Sequence, residues 1–275
     1  GDNARLLPGV YSPFALSGLR GVHIITGGFS GDGAVIHGGV KPRGEDKACG
    51  IRVSGCPDLV IEALIVEGSP GRGIRVTDSP RVTIRSCIFR ENAIEGIIWG
   101  ACDDFALVAC HCVRNGTGDN DRAHGAYGSY GSQRPHVLRC FFKNNTGSGL
   151  QLNSTIEDGK HPISGAFVEE CSFEGNGVSG TPALSLVSVQ NSVFSKLYFK
   201  DNNAVATLFS TVDSVPCRRI SFNDYTDLGT HKWEIRKVNA EEIITEPGVG
   251  WRPGEAPRPD PPSPPIPTLD LASRV

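Results

Sequence analysis

The stretch from Gly50 to Gly118 decides the fold, because it carries one pattern three times. The units read GIRVSGCPDLVIEALIVEGSPGR (50–72), GIRVTDSPRVTIRSCIFRENAIE (73–95) and GIIWGACDDFALVACHCVRNGTG (96–118). Further units start at Gly125, Gly149, Ala183 and Ala206, so a period near 23 residues is interrupted by two insertions. A fixed period of this length indicates a solenoid, in which each repeat packs on its neighbours.

Each unit holds short strands in which apolar and polar residues alternate. In the first unit these strands are 50–53, 59–61 and 64–66, and a period of two is typical of β-strands. Three short strands with turns between them describe one coil of a right-handed parallel β-helix. A single coil cannot bury its apolar face, so the coils must stack. We therefore predict an all-β chain with a single right-handed parallel β-helix of about eight or nine coils.

Two kinds of small side chain recur at a fixed position in the units. Stacked asparagines hydrogen-bond along a solenoid axis, and stacked cysteines pack as small apolar groups. The asparagines expected to stack are Asn92, Asn115, Asn144, Asn176 and Asn202. The cysteines expected to stack in the core are Cys87, Cys110, Cys140 and Cys171.

Composition narrows the function further. The net charge of −3 does not favour a nucleic-acid surface, and without a run of 18 apolar residues we expect no transmembrane helix. The nine cysteines form no CxxC pair, so we expect no zinc site.

Nine of the 19 prolines fall between Pro247 and Pro267. We therefore divide the chain into a β-helix domain with terminal caps (1–246) and a proline-rich tail or linker (247–275).

The repeats from Leu7 to Asp227 resemble the pectate-lyase-like family of right-handed β-helix proteins. The opening LPGVYSPFALSGLRGVHIITG (7–27) is similar to the first coil of that family. The resemblance implies the fold, whereas the family includes lyases, hydrolases, epimerases and non-catalytic proteins. The reaction must therefore be inferred from the residues of the site.

Because the inside of a β-helix is filled, ligands must bind on its outside, and the first strand of each coil is the candidate surface. The third residue of each unit points outward, and the residue before each unit lies beside it. The outward column is Arg52, Arg75, Ile98, Tyr127, Gln151 and Ser185. The adjacent column is Cys49, Arg72, Glu95, His124, Ser148 and Pro182. Together they predict a polar patch that spans four coils, or roughly 15 Å.

Two polar insertions flank this patch in sequence. The segment 116–123 precedes His124, and the segment 153–164 follows Leu152, so we expect the two to wall a cleft. The first insertion contains Asp119, Asp121 and Arg122. The second contains Glu157, Asp158, Lys160 and His161.

The string His124-Gly125-Ala126-Tyr127-Gly128-Ser129 is similar to the histidine-glycine strand of polygalacturonases. That branch places acids just before the strands of the two preceding coils, where this chain has Arg72 and Glu95. Inverting hydrolysis needs two carboxyl groups, one as acid and one as base. Polygalacturonase-type hydrolysis, with Glu95 and a loop aspartate (Asp119 or Asp121), is therefore an alternative and not the first choice.

The patch fits proton abstraction from a uronate better. Arg72 and Arg75 suit the substrate carboxylate, because a guanidinium binds it through two parallel hydrogen bonds. His124 is suited to act as general base, and Tyr127 as the acid, or as the base if the arginines lower its pKa. Glu95 is positioned to orient His124. The residues expected to bind the rest of the substrate are Gln151, Asn153, Arg122 and Lys160.

We therefore expect a protein that acts on an acidic polysaccharide, as a lyase by β-elimination or as a C5-epimerase. The alternatives are the hydrolase and a non-catalytic carbohydrate-binding or structural module. We expect no cofactor, although Asp119, Asp121 and Glu95 leave calcium open. We expect a monomer that binds neither nucleic acid nor membrane. The size of the substrate favours an extracellular or periplasmic location.

Overall fold

The computed structural model describes residues 3–26, 33–39, 48–116, 123–154, 161–203, 205–211, 215–229, 232–237 and 240–246. These residues form 26 β-strands, arranged on three long faces that we call sheets 1, 2 and 3. The loop residues 117–122 and 155–160 and the proline-rich tail lie outside the described residues, so the division at residue 247 stays a prediction.

Sheet 1 has nine strands, one from each coil, and carries the predicted patch. Its strands are β3 (Phe14–Ser17), β6 (Cys49–Ser54), β9 (Arg72–Thr77), β12 (Ile97–Gly100), β15 (Ala126–Ser129), β18 (Leu150–Asn153), β21 (Leu184–Val187), β23 (Val205–Ser210) and β25 (Lys232–Lys237).

Sheets 2 and 3 close the other two sides of each coil. The strands of sheet 2 are β1 (Asn3–Leu6), β4 (His23–Thr26), β7 (Val60–Glu62), β10 (Thr83–Arg85), β13 (Ala106–Val108), β16 (His136–Leu138), β19 (Phe167–Glu169), β22 (Gln190–Lys200), β24 (Arg218–Leu228) and β26 (Glu241–Glu246). The strands of sheet 3 are β2 (Gly9–Tyr11), β5 (Ala34–His37), β8 (Ile65–Glu67), β11 (Ile88–Arg90), β14 (His111–Val113), β17 (Phe141–Lys143) and β20 (Ser172–Glu174). The long strands β22 and β24 continue from sheet 2 into sheet 3.

Neighbouring coils pair in parallel and in register, which confirms the predicted solenoid. Ile51 pairs with Ile74, and Ile74 pairs with Ile97, so that each coil places the same kind of residue at the same position. These inward side chains are fully buried. Phenylalanines stack in the same way, with ring centroids 5.1 Å apart for Phe142 and Phe173.

The asparagine ladder forms, with one member corrected. The side-chain amide of each asparagine donates to Oδ1 of the next, at 3.0 Å from Asn92 to Asn115 and 3.0 Å from Asn115 to Asn145. The ladder continues through Asn176 to Asn202, and all five amides are buried. The prediction of Asn144 was wrong, because that residue is exposed and Asn145 takes the place.

One extra residue at a corner explains this shift. Gly100 pairs with Ser129, an offset of 29, whereas Ala106 pairs with His136, an offset of 30. The added residue therefore lies between β15 and β16. Counting from the start of the unit placed the ladder residue one position too early.

The ladder also explains the glycine that opens the units. A Cβ on Gly96 would lie 2.7 Å from the carbonyl oxygen of Gly125 and 2.8 Å from Nδ2 of Asn115. Real Cβ atoms essentially never approach other atoms this closely. The glycine is needed where the asparagine amide and the next coil meet the backbone.

The nine cysteines are all buried and free, and Cys87, Cys110, Cys140 and Cys171 stack as predicted. Burial raises the pKa of the thiols of Cys110 and Cys171 well above the usual range. These side chains act as small core residues. No helix that could span a membrane occurs among the described residues.

We predict that Asn145→Asp lowers the free energy of unfolding by about 3 kcal/mol, because it removes two donors and buries a charge. Asn144→Asp is the matched control, since Asn144 is exposed and aspartate tolerates its left-handed φ of +53°. Urea unfolding followed by far-ultraviolet circular dichroism measures both. Equal effects would contradict the ladder assignment.

We also predict that a thiol-specific reagent modifies none of the nine cysteines in the folded protein and all nine in urea. All nine thiols are shielded by burial. Burial also raises the pKa of five of them, which keeps these five protonated: Cys102, Cys110, Cys112, Cys171 and Cys217. Rapid modification of a thiol under native conditions would show that a coil opens.

Candidate functional site

The outward column of sheet 1 has the predicted register. Arg52 pairs with Arg75, Arg75 with Ile98, and Ile98 with Tyr127. Tyr127 in turn pairs with Gln151, and Gln151 with Ser185. Adjacent members of the column are therefore one coil, or about 4.8 Å, apart along the axis.

Backbone hydrogen bonds hold the adjacent column in line. The amide of Gly73 donates to the carbonyl oxygen of Glu95 at 2.9 Å, and the amide of Gly96 donates to that of His124 at 3.1 Å. The same bond joins Gly125 to Ser148 at 2.9 Å. The side chains of Glu95, His124 and Ser148 therefore start from equivalent points on successive coils.

Arg72 and Glu95 form an ion pair across two coils. Arg72 Nε lies 3.0 Å from Glu95 Oε2, and the two side chains are only 17% and 5% exposed. The pair neutralises the charge of Arg72, and the guanidinium occupies Oε2 of Glu95.

His124 is nearly buried, and its orientation is fixed from the next coil. Nδ1 of His124 accepts a hydrogen bond of 3.0 Å from the backbone N–H of Ser148. Because Nδ1 is an acceptor, the neutral ring carries its proton on Nε2. His124 is a donor through Nε2 in this arrangement, and its ring centroid lies 5.6 Å from that of Tyr127.

Tyr127 is half-buried, and its phenolic oxygen accepts a hydrogen bond from a side chain. Asn153 Nδ2 donates to Tyr127 Oη at 3.3 Å. Oδ1 of the same amide is buried and has no hydrogen-bond partner among the described residues. The amide therefore holds the phenol in place.

Arg75 and Tyr127 share one face, two coils and about 10 Å apart along the axis. Between them lies Ile98, which is 8% exposed. The side chains of Arg75 and Tyr127 therefore lie on either side of an apolar residue that is almost buried. Gln151 lies on the far side of Tyr127, at the next coil.

Several residues predicted for the site lie outside the described residues. They are Arg122 and Lys160, predicted to bind substrate, and the loop acids Asp119, Asp121, Glu157 and Asp158. The cleft walls, the calcium site and the loop aspartate of the hydrolase therefore stay predictions. Among the described residues, no group of three or more His, Cys, Asp or Glu could hold a metal ion.

The structure adds two contacts that the sequence did not indicate. The backbone of Ser148 orients His124, and Asn153 contacts Tyr127 instead of only facing a sugar. The first contact follows from ring orientation, for which the sequence carries no signal. The second was within reach, because Asn153 ends the strand next to that of Tyr127.

A family model described as "Right handed beta helix region" matches residues 32–157. With the parallel register above, this match decides the architecture. The chain has the fold of the right-handed parallel β-helix proteins. A search of curated proteins found no match.

Solved structures agree on the fold across most of the chain. An alginate lyase from Paenibacillus sp. str. FPU-7 is 14% identical with a TM-score of 0.58, over 89% of this chain and 92% of that one. Pectate lyase Pel9A is 12% identical with a TM-score of 0.58, over 87% and 70%. The adhesin PfbA of Streptococcus pneumoniae is 8% identical with a TM-score of 0.56, over 90% and 92%. At these identities the likeness concerns the fold alone.

We predict that Glu95→Gln lowers the free energy of unfolding by about 2 kcal/mol, because it leaves a largely buried guanidinium without its carboxylate. Glu91→Gln is the matched control, since it breaks an exposed pair with Arg114, lies four residues before Glu95 and should cause no measurable change. Chemical denaturation compares the two variants. An unchanged stability of Glu95→Gln would remove the structural role of this pair.

Proposed function

We propose that the protein removes the C5 proton of a uronate residue in an acidic polysaccharide, as a β-eliminating lyase or a C5-epimerase. The observation that carries the proposal is the placement of Arg75 and Tyr127 on one face of sheet 1, with the nearly buried Ile98 between them. This pairing supplies a cation for the substrate carboxylate and, two coils away on the same face, a group for proton transfer.

Arg75 is assigned to the substrate carboxylate. Its side chain is half-buried on the outward column, where a guanidinium can bind a carboxylate through two parallel hydrogen bonds. Neutralising the carboxylate makes the neighbouring C5–H bond more acidic, because the charge that develops on C5 spreads into it. Arg72 is held in its ion pair with Glu95 and is not assigned to the substrate carboxylate.

Tyr127 is assigned to the proton transfer. Its ionised oxygen takes the proton from C5, the electron pair of that bond forms the C4=C5 double bond, and the C4–O bond breaks. The protonated Tyr127 then gives this proton to the leaving oxygen and returns to its ionised form. In the epimerase, a water molecule instead gives a proton to C5 from the opposite face, and the hydroxide that it leaves takes the proton from Tyr127. The N–H of Asn153 donates to the phenolic oxygen and stabilises it once its proton has left.

His124 is assigned a positioning role in place of the general base expected from the sequence. A base acting through Nε2 needs its proton on Nδ1, which here accepts the N–H of Ser148. The ring of His124 packs beside that of Tyr127, with centroids 5.6 Å apart, and so helps to position the phenol.

The substrate class is supported by two of the proteins with a similar fold. They are named an alginate lyase and a pectate lyase, whose polymers are built of uronates. Gln151 and Asn153 extend the polar face by one further coil and suit sugar hydroxyls. A polymer of this size meets the protein outside the cytoplasm, so we propose an extracellular or periplasmic location.

Incubation with alginates, pectate, hyaluronan and heparin-like chains tests the proposal. The ultraviolet absorbance of the C4=C5 double bond reports elimination. Proton NMR in heavy water reports epimerisation, because solvent deuterium enters at C5. We expect Tyr127→Phe to lower the rate by about a thousandfold, since general acid–base groups contribute about 10²–10⁴.

Tyr198→Phe is the matched control, because Tyr198 is half-buried like Tyr127 but lies on β22, away from sheet 1. Its rate should equal that of the unaltered protein. Arg75→Gln should raise KM and lower kcat together, because it removes both binding and transition-state charge. Absence of both signals with every polymer would overturn the proposal.

A further inference from the structure

A second cleft lies at the corner where sheet 1 turns into sheet 2. It has a volume of about 520 Å³, within the range of small-molecule sites. It begins just past the ends of β9, β12 and β15, whereas Arg75 and Tyr127 lie within those strands. Its lining residues are Asp78, Pro80, Ala101, Asp103, Tyr130, Gly131, Gln133 and His161.

Two carboxylates line the cleft on adjacent coils. Asp103 Oδ1 accepts a hydrogen bond of 2.9 Å from the backbone N–H of Gln133, and no bond to Oδ2 occurs among the described residues. In the part of the chain that the structure describes, no side chain forms a hydrogen bond or an ion pair with the Asp78 carboxylate. Burial raises the pKa of the nearby Cys102 thiol to about 11, and the negative charges of Asp78 and Asp103 contribute to this rise.

The arginines near the cleft do not neutralise the carboxylates of Asp78 and Asp103. Arg81 is bound by Asp58 through two hydrogen bonds, and Arg134 is bound by Asp104 in the same way. Each of these arginines thus has its own counter-ion on the adjacent coil. The cleft is negative, and it repels a sugar that carries a carboxylate.

An aromatic ring completes the cleft. Tyr130 and Gly131 both have a left-handed φ, of +52° and +68°, at the corner that holds the extra residue of this coil. Tyr130 is 41% exposed, so part of its ring faces solvent at the cleft. Aromatic faces pack against the C–H groups of sugar rings, and carboxylates accept from their hydroxyls.

The wall of the cleft is held in place. Gln133 Nε2 donates to the carbonyl oxygens of Gly131 at 2.6 Å and of Pro162 at 2.8 Å. These bonds join the corner to the segment that carries His161. Ser132 Oγ accepts from the Cys102 N–H at 3.1 Å, which ties the corner to the preceding coil. A preorganised cleft binds with a smaller entropic cost.

We propose that this corner cleft binds a sugar residue that offers hydroxyl or ammonium donors and carries no carboxylate. The ligand is a neutral or amino sugar, either a free oligosaccharide or part of a longer glycan. The proposal does not depend on proton abstraction at Tyr127, because it uses a different set of residues on a different surface.

Amide NMR titration and calorimetry test it with short neutral oligosaccharides of glucose, galactose and mannose, with glucosamine oligomers and with oligogalacturonate. We expect a neutral or amino sugar to shift the amide signals of Gly131 and Gln133, and oligogalacturonate to leave them in place. Tighter binding of glucosamine oligomers than of every neutral sugar would identify an ammonium ligand. The reverse order would identify a hydroxyl ligand.

The double variant Asp78→Asn, Asp103→Asn should weaken this binding at least tenfold, because hydrogen bonds to charged groups are the strong ones. Asn suits the left-handed φ of +50° at Asp78. The double variant Asp201→Asn, Asp224→Asn is the matched control, since it removes two exposed carboxylates that also have a left-handed φ, lie outside the cleft lining and should leave binding unchanged. Tyr130→Asn removes the ring and keeps the backbone conformation.

The proposal is overturned if no neutral or amino sugar shifts these signals, or if oligogalacturonate does so instead. It is also overturned if the double variant, folded by circular dichroism, binds as tightly as the unaltered protein. A failure of the elimination and deuterium assays leaves these outcomes unaffected, so the two proposals fail separately.

Discussion

The buried ladder of asparagine amides is the constraint on which the stack depends. Each amide before Asn202 donates to the next amide and to a backbone carbonyl of the preceding coil, so that its donors are satisfied inside the core. Because these bonds require one residue per coil at one height, any change in coil length must be absorbed at a corner or in a loop. The glycines that open the coils follow from the same requirement.

This constraint also positions the chemistry. Side chains on sheet 1 are spaced by the coil repeat, so an arginine, an isoleucine and a tyrosine at equivalent positions form a straight row. The site residues therefore occupy backbone positions fixed by the stack. Only the rotamers of residues such as His124 and Tyr127 are set locally, by Ser148 and Asn153.

The period of two and the repeat of about 23 residues were enough to predict the fold, the inward residues and the outward column of sheet 1. They were not enough to place Asn145, because a single residue added at the Tyr130 corner changes the count without changing the pattern. Nor did they indicate that His124 accepts from a backbone N–H. Hydrogen-bond direction depends on ring orientation, which repeat spacing does not encode.

The same scaffold presents opposite charge at the two ends of neighbouring strands. Positive side chains project from β6 and β9, whereas carboxylates line the corner beyond β9 and β12. A corner tolerates an added residue because the ladder lies elsewhere in the coil. Surfaces of different character can therefore arise on one coil without disturbing the core.

The row of thiols without disulfide bonds makes folding sensitive to how fast the coils stack. Cys87, Cys110, Cys140 and Cys171 come from consecutive coils, and each is shielded only once its neighbours are in place. A solenoid folds by adding coils to a nucleus, so thiols on unstacked coils remain accessible to oxidants during assembly. In an oxidising compartment, the yield of native protein then depends on the rate of coil addition relative to the rate of non-native disulfide formation.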